Sequence, residues 1–155
     1  SCSKNFGLYR ERAGALLAVT PDAKSSALVQ QNLATLNRMN FSFPPDHGAR
    51  LVSMILADPA LRADWQHELD EMREGIAALR RQLAAALRER SGSDRFGFLA
   101  ENRGMFSRLG ASPAQVEVLR RDHGIYMVGD SRMNLAGLTP QDVPRLAEAI
   151  LAAGI

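Results

Sequence analysis

The spacing of hydrophobic and polar positions predicts one long helix in the middle of the chain. From Leu61 to Leu87, apolar residues recur every three or four positions, as they do along one face of an amphipathic helix. Asp58-Pro59 marks the start, because proline suits the first helical position, and "SGSD" marks the end. The predicted helix covers about residues 59–90. Because its apolar spacing is not a strict heptad, we expect it to connect two bodies rather than to form a coiled coil.

The segment before this helix changes pattern several times. "GALLAV", residues 14–19, is a short apolar run that predicts a buried strand. Thr20-Pro21 has the form of a helix cap followed by proline, so a helix is expected over about 22–37. Two adjacent prolines then predict a loop over 40–48, since proline cannot continue a helix. A short helix is expected after that loop.

The C-terminal part alternates between short apolar runs and helical patterns. One helix is predicted over 112–124, where Ser112 and Gln115 have the spacing of a capping box and Gly124 provides the stop. A final helix is predicted over 139–154. The order strand-strand-helix-strand-strand-helix predicts a compact α/β layer. The four strands are expected at residues 96–100, 104–109, 125–129 and 132–137.

Composition excludes several classes of protein. With 155 residues, 46% of them hydrophobic, the chain can form one sizeable core, or one domain and part of another. Its 19 basic and 17 acidic residues are interspersed and aromatic residues make up only 6%, which argues against nucleic-acid binding. The three histidines lack metal-ligand spacing, and we expect no metal site.

The compartment follows from what the sequence lacks. No apolar run reaches membrane-spanning length and no signal-peptide pattern is present. The single cysteine, Cys2, excludes an internal disulfide and is expected to be buried and inert, so we predict a cytoplasmic protein without a membrane partner. The chain starts without methionine, inside a patterned segment, which we interpret as a truncated or processed end.

Lys4 is unusual because this chain uses arginine for nearly all its positive charge. Of nineteen basic residues, only Lys4 and Lys24 are lysine. An amine can form a Schiff base, whereas a guanidinium stays protonated and is a poor nucleophile. Ser1, Ser3, Arg10 and Arg12 lie in the same loop, and hydroxyls with arginine suit a phosphate. The alternative for Lys4 is a stray surface lysine, which is how we interpret Lys24, and the alternative for the loop is a polar segment with solvated arginines.

Two arginines are candidates for binding carboxylates. Arg132 lies in "GDSRMN" between two predicted strands, and Arg38 lies at a predicted helix end before the double-proline loop. Arginine binds a carboxylate through two parallel N–H donors. The alternative for each is an ordinary surface ion pair.

Several motifs together resemble one known family. "SCSKNFGLYRERAG" is similar to the cofactor-lysine segment of the aspartate/aromatic amino acid aminotransferases, and "NRMNFSFPPDHGA", "ILADPALRADW", "GMFSRLG" and "DSRMNLAGLTP" follow in the family's order. The resemblance covers essentially the whole chain and points to the bacterial aromatic branch. It implies the C-terminal portion of a fold-type I α/β transferase that uses pyridoxal phosphate. Residues 1–70 would end the large cofactor domain, 71–155 would form the small domain, and the long helix would link them.

The resemblance also implies roles for single residues. Lys4 would bind pyridoxal 5'-phosphate as a Schiff base and move the substrate's Cα proton, while Ser1 and Arg12 would hold the cofactor phosphate. Arg132 would bind the substrate α-carboxylate. The substrate pocket would be lined by Phe106, and Arg38 would reach into the partner's site of a homodimer.

The implied activity is transamination between an aromatic or dicarboxylic amino acid and 2-oxoglutarate. Phe43 and Phe106 favour aromatic side chains, and Arg38 would serve acidic ones. Other active-site parts of the family are absent from these 155 residues, so the isolated chain is expected to be inactive. The alternative is therefore a non-catalytic, self-associating small-domain fragment of such an enzyme.

Overall fold

The computed structural model describes all residues, 1–155, and divides them into two compact units, Ser1–Leu69 and Asp70–Ile155. The first unit contains two helices and the start of a third, which continues into the second unit. The second unit adds three helices and two short strands. The elements are α1 Ala23–Phe41, α2 His47–Ala57, α3 Pro59–Ser91, α4 Phe98–Glu101, β1 Phe106–Arg108, α5 Pro113–His123, β2 Arg132–Asn134, a 3-10 turn Leu135–Gly137 and α6 Asp142–Ala152.

The long helix is confirmed by α3, which has 33 residues. The carboxylate of Asp58 accepts hydrogen bonds from the backbone N–H groups of Ala60 and Leu61, so it supplies partners for donors that the first turn leaves unpaired. Within the second unit, Leu83 and Leu87 of this helix are fully buried. The C-terminal part of the apolar stripe therefore enters the core, whereas Leu61 and Met72 of the same stripe are 45% and 52% exposed.

The predicted strand at 14–19 is wrong. No strand forms there, and Leu16, Leu17 and Val19 are 73%, 90% and 101% exposed. A strand needs a neighbour for its backbone N–H and C=O groups, and the first unit contains no other strand. Without a partner strand, the apolar side chains of this run stay exposed.

The helix predicted over 22–37 is confirmed by α1, with different ends. Asp22, rather than Thr20, is the cap: its carboxylate accepts a 2.7 Å hydrogen bond from the backbone N–H of Ser25. The helix continues to Phe41, four residues past the predicted end, because the loop geometry begins only at Ser42, whose φ is +59°. The short helix expected after the double-proline loop is confirmed by α2.

Two of the four predicted strands form, and they pair as an antiparallel ladder. Phe106 lies opposite Asn134, and Arg108 lies opposite Arg132. The predicted strand at 96–100 is instead a turn leading into α4, since its buried residues are spaced for a helix. The segment 125–129 alternates in burial like a strand but has no partner strand. The predicted α/β layer is therefore helix-rich, with a two-stranded sheet.

The core lies entirely in the second unit, where α3, α5 and α6 pack with the strand pair. The capping box predicted at the start of α5 is confirmed: Ser112 and Gln115 exchange side-chain and backbone hydrogen bonds. Gly124 ends the helix at φ +63°, a conformation that favours glycine. The fully buried core side chains include Leu83, Leu87, Leu99, Leu119, Leu135, Ala147 and Ile150.

Candidate functional site

Lys4 lies on the N-terminal loop, and Tyr9 is its neighbour. The Lys4 Nζ donates a 2.8 Å hydrogen bond to the Tyr9 hydroxyl and lies 4.1 Å from the centroid of the Tyr9 ring. An ammonium over an aromatic face is attracted to it. The sequence analysis did not single out Tyr9. The available signal was its position in the same loop, five residues after Lys4. The Lys4 amine therefore has a defined location on an exposed loop.

The backbone that carries Lys4 is held by Trp65 of α3. The indole N–H donates a 2.7 Å hydrogen bond to the carbonyl oxygen of Asn5, and the indole stacks on Phe6 with centroids 4.6 Å apart. Periodicity identified Trp65 only as an apolar helix position. Its polar N–H was the signal that it also has a hydrogen-bonding role.

Ser1 and Arg12 line one open pocket, together with residues 13–16. The ends of the loop meet because the Cys2 N–H donates to the Ala13 carbonyl at 2.9 Å. Gly14 lies so close that a Cβ there would be 2.9 Å from the Ser1 Cα, which explains why glycine stands at this position. Cys2 is half-buried rather than buried.

The N-terminal loop offers donors for a phosphate. Ser1 and Ser3 hydroxyls are 2.9 Å apart, and the exposed Arg12 guanidinium is restrained through a 3.0 Å hydrogen bond from Nη1 to the Tyr9 carbonyl. Arg12 adopts φ +52°, a strained conformation for a residue with a side chain. The donor set, together with the Lys4 amine on the same loop, fits a ligand that carries both a phosphate and an aldehyde.

In the second unit, Arg132 and Phe106 form a contact pair. The Arg132 guanidinium carbon lies 5.4 Å from the centroid of the Phe106 ring. The strand register explains the contact, because these residues are diagonal neighbours on the exposed face of the ladder. An exposed guanidinium against an aromatic ring can bind a carboxylate while the ring contacts an apolar group.

The turn before Arg132 fixes the start of its strand. The Asp130 carboxylate accepts a 3.0 Å hydrogen bond from the Arg132 backbone N–H and forms an ion pair with Arg108. Ser131, which is buried, adopts φ +60°. The ion pair with this carboxylate is therefore formed by the side chain of Arg108, whereas Arg132 contacts it through its backbone N–H.

The remaining candidates are placed separately. Arg38 lies exposed in the last turn of α1, as its position before the double-proline loop predicts, and none of the hydrogen bonds that hold Ser1 or Arg12 involves it. Lys24 is exposed in the first turn of the same helix. No group of three or more His, Cys, Asp or Glu side chains is arranged to hold a metal ion. None of the helices combines the length and apolar character needed to cross a membrane.

Comparison with known proteins identifies relatives across the whole chain. The sequence model of the family described as "Aminotransferase class I and II" matches residues 1–150. The aromatic-amino-acid aminotransferase of Paracoccus denitrificans is 59% identical over 155 residues, which is 100% of this chain and 39% of the relative. The aspartate aminotransferase of Salmonella typhi is 42% identical over 152 residues, 98% of this chain and 38% of the relative.

Solved structures agree with these relatives. The aromatic-amino-acid aminotransferase of Burkholderia pseudomallei, described as covalently bound to pyridoxal phosphate, superposes with a TM-score of 0.86 at 42% identity. The match covers 99% of this chain and 38% of that structure. The chain therefore spans less than two fifths of the length of each of these three relatives.

Proposed function

We propose that this chain, which belongs to the aminotransferase class I and II family, is the C-terminal part of an aromatic amino acid aminotransferase that also accepts aspartate and glutamate. Residues 1–70 are then the end of a large cofactor domain, and residues 71–155 are the small domain. The observation that carries the proposal is the Lys4 amine, located by Tyr9 on the same loop that brings Ser1 and Arg12 together.

Pyridoxal phosphate is the cofactor of this family, and the residues present fit it. When bound, it supplies an aldehyde carbon that joins to amino groups and a ring that accepts electrons as a Cα–H bond breaks. Ser1 and Arg12 would bind its phosphate, and Lys4 would bind it covalently. With a substrate bound, the Lys4 Nζ would be the base that carries the proton away from Cα.

The Tyr9 contact gives Lys4 a defined position for this proton transfer. A lysine side chain has four rotatable bonds, and ordering it for a reaction costs conformational entropy. The 2.8 Å hydrogen bond to the Tyr9 hydroxyl limits the places that Nζ can occupy. Tyr9 thus restrains the amine near the loop that would hold the cofactor phosphate.

Arg132 and Phe106 are the proposed substrate-binding residues of the second unit. The Arg132 guanidinium binds the α-carboxylate through two N–H donors, and the Phe106 ring, 5.4 Å away, contacts an aromatic side chain. Arg38 would bind the distal carboxylate of an acidic substrate in the partner subunit of a homodimer. Relatives named for aromatic amino acids and for aspartate both support this dual range.

Kinetics of the full-length enzyme test the proposal. kcat/KM is measured for phenylalanine and for aspartate with 2-oxoglutarate as acceptor, in the wild type and in Lys4→Ala. We expect turnover of both amino acids, lost in Lys4→Ala together with the absorption band of the lysine-bound cofactor. Lys24→Ala is the matched control and should retain both. Turnover of aspartate without phenylalanine contradicts the aromatic assignment, and turnover of neither contradicts the activity.

A second candidate concerns the 155-residue chain alone. The exposed side chains of Leu16, Leu17 and Val19 favour association with other apolar surface. On this reading the isolated chain is a non-catalytic fragment that self-associates. Titration with pyridoxal phosphate and sedimentation of the isolated chain test it. Weak cofactor binding, no turnover and a concentration-dependent mass are expected, whereas turnover by a monomer would contradict this candidate.

A further inference from the structure

Arg80 is a buried cation held without any carboxylate. Its side chain is 1% exposed. A guanidinium has five N–H donors, and Arg80 makes five hydrogen bonds. Nε and Nη2 both donate to the Gly104 carbonyl, at 3.1 and 2.7 Å. Nη1 donates to the Leu99 carbonyl at 3.1 Å and to Ser107 Oγ at 2.7 Å, and Nη2 also donates to the Phe106 carbonyl at 2.9 Å.

This arrangement ties the cation to backbone positions. Burying a charge is unfavourable unless every donor finds an acceptor. Burial lowers the pKa of the Arg80 guanidinium, but arginine stays protonated in proteins. Because three of its four acceptors are backbone carbonyls, a shift of the chain at Gly104 or Phe106 would break bonds to a buried charge. The helix α3 therefore fixes the path of the chain into β1.

The fixed segment carries a residue of the proposed substrate site. Ser107 points to the buried face of β1, toward Arg80, while Phe106 lies on the exposed face with Arg132. The Leu135 N–H also donates a 2.7 Å hydrogen bond to the Met105 carbonyl, so the two strands are joined just before Phe106. Displacement of this backbone would move the Phe106 ring relative to the Arg132 guanidinium.

We propose that Arg80 is a positioning residue for substrate recognition: it holds the backbone of residues 104–107 so that Phe106 stays in contact with Arg132. Arg80 itself contacts neither the substrate nor the cofactor. The inference rests on the proposed function, since it gives the Phe106–Arg132 pair its role. The proposed effect of Arg80 is on substrate binding, separate from any contribution of Arg80 to folding.

The test compares Arg80 with its neighbour Arg81, which is exposed on the same helix. Arg80→Met and Arg80→Lys are made in the full-length holoenzyme, with Arg81→Met and Arg81→Lys as matched controls. Each variant is measured for Tm, for kcat and KM with phenylalanine, and for cofactor affinity. Calorimetry with 3-phenylpropionate, which has a carboxylate and a ring but no amine, reports on the Arg132–Phe106 pair without any turnover.

A selective loss of binding is the expected result. We expect KM for phenylalanine and Kd for 3-phenylpropionate to rise about tenfold in Arg80→Met and about threefold in Arg80→Lys, with kcat changed less than about twofold. Cofactor affinity should stay unchanged, and the Arg81 variants should match the wild type. Folded Arg80 variants with a lowered Tm but unchanged KM and Kd would show that Arg80 is only structural and would overturn the inference.

The remaining outcomes distinguish a failure of the Arg80 inference from a failure of the proposed function. If the Arg80 variants do not fold, Ser107→Ala is used instead, because it removes one buried acceptor and leaves Arg80 in place. A two- to threefold weaker binding of 3-phenylpropionate, about 0.5 kcal/mol, supports the inference. An unchanged Kd overturns it. If the wild type turns over no amino acid and binds no 3-phenylpropionate, the proposed function has failed, whatever the variants do. A wild type that binds and turns over, with variants that behave alike, contradicts only the role of Arg80.

Discussion

The indole N–H of Trp65 donates a 2.7 Å hydrogen bond to the carbonyl oxygen of Asn5, sixty positions earlier in the chain. Asn5 directly follows Lys4, and the next residue, Phe6, stacks on the same indole with an interplanar angle of 10°. A helix residue thus fixes the backbone from which the proposed reactive amine projects. Positioning of this kind lowers the entropy that must be lost when the amine reacts.

Removing the Trp65 contacts should loosen the Lys4 loop. Trp65→Phe retains an aromatic ring but loses the N–H donor, and Trp65→Leu loses both contacts. We expect about 1 kcal/mol of destabilisation from the lost hydrogen bond and about 1 kcal/mol more from the lost stacking. Urea unfolding measures the stability, and borohydride reduction followed by peptide mapping measures how much cofactor is attached to Lys4. Attachment equal to the wild type in both variants would show that Trp65 does not position Lys4.

The close approach of Gly14 to Ser1 predicts a large effect from one methyl group. In Gly14→Ala the new Cβ would lie 2.9 Å from the Ser1 Cα and 3.3 Å from the Ser1 nitrogen, so the Ser1 backbone must move away. Because Ser1 is a proposed hydrogen-bond donor to the cofactor phosphate, its displacement should weaken cofactor binding at least about tenfold, which is the equivalent of one charge-assisted hydrogen bond. Equilibrium dialysis of pyridoxal phosphate against the full-length protein measures this.

Gly75→Ala is the matched control for that experiment. Gly75 lies inside α3, and nothing lies within 4 Å of a Cβ added there. Alanine should stabilise the helix by about 0.5–1 kcal/mol, because it loses less conformational freedom on folding than glycine. Cofactor affinity should be unchanged. Equal weakening in both variants would mean that the contact with Ser1 is not the cause.

Asp142 makes the second unit sensitive to acid. Hydrogen bonds from the Thr139 hydroxyl and backbone N–H, at 2.7 and 2.8 Å, hold the pKa of this carboxyl below its ordinary value, with a smaller contribution from Arg145. A folded-state pKa below the unfolded one adds stability above the unfolded pKa, and that stability is lost as the pH falls through the folded pKa. The contribution should therefore be full near neutral pH and vanish in strong acid.

A charge-removing variant tests this pH dependence. Asp142→Asn should have a lower Tm than the wild type at about pH 7, and the difference should shrink toward zero at about pH 2. Glu148→Gln removes one negative charge from the same helix without removing a bond to Thr139, and serves as control. A difference that stays constant between the two pH values would contradict the assignment to Asp142.

Much of the helical structure follows from sequence pattern alone. The stripe from Leu61 to Leu87, the capping box at Ser112 and the stop at Gly124 each depend on interactions within one helix, so they are readable locally. Strand formation at 14–19 could not be judged locally, because a strand also needs a partner strand and the first unit contains none. The same limit applies at 125–129, where residues alternate in burial without a partner strand.

The candidate site divides in the same way. Ser1, Lys4 and Arg12 are close in sequence, so the loop could be recognised by its residue types. Trp65 and Arg80 make contacts over long sequence separations. The hydrophobic spacing identified Trp65 only as an apolar helix position and did not single out Arg80. Their contacts are set by tertiary packing, for which a single sequence gives no local signal.

Ser131 precedes Arg132 and stores backbone strain in the turn that leads into β2. It adopts φ +60° while buried, and its Oγ accepts a 3.1 Å hydrogen bond from the Gly110 N–H. Ser131→Ala and Ser131→Gly both lose that hydrogen bond, but only glycine adopts the left-handed conformation without strain. The greater freedom of glycine in the unfolded chain offsets part of this advantage, so we expect Ser131→Gly to be the more stable of the two by only about 0.5–1 kcal/mol. Urea unfolding gives the order. If Ser131→Ala is equally stable, the left-handed conformation carries no strain at this position, and the hydroxyl alone accounts for serine there.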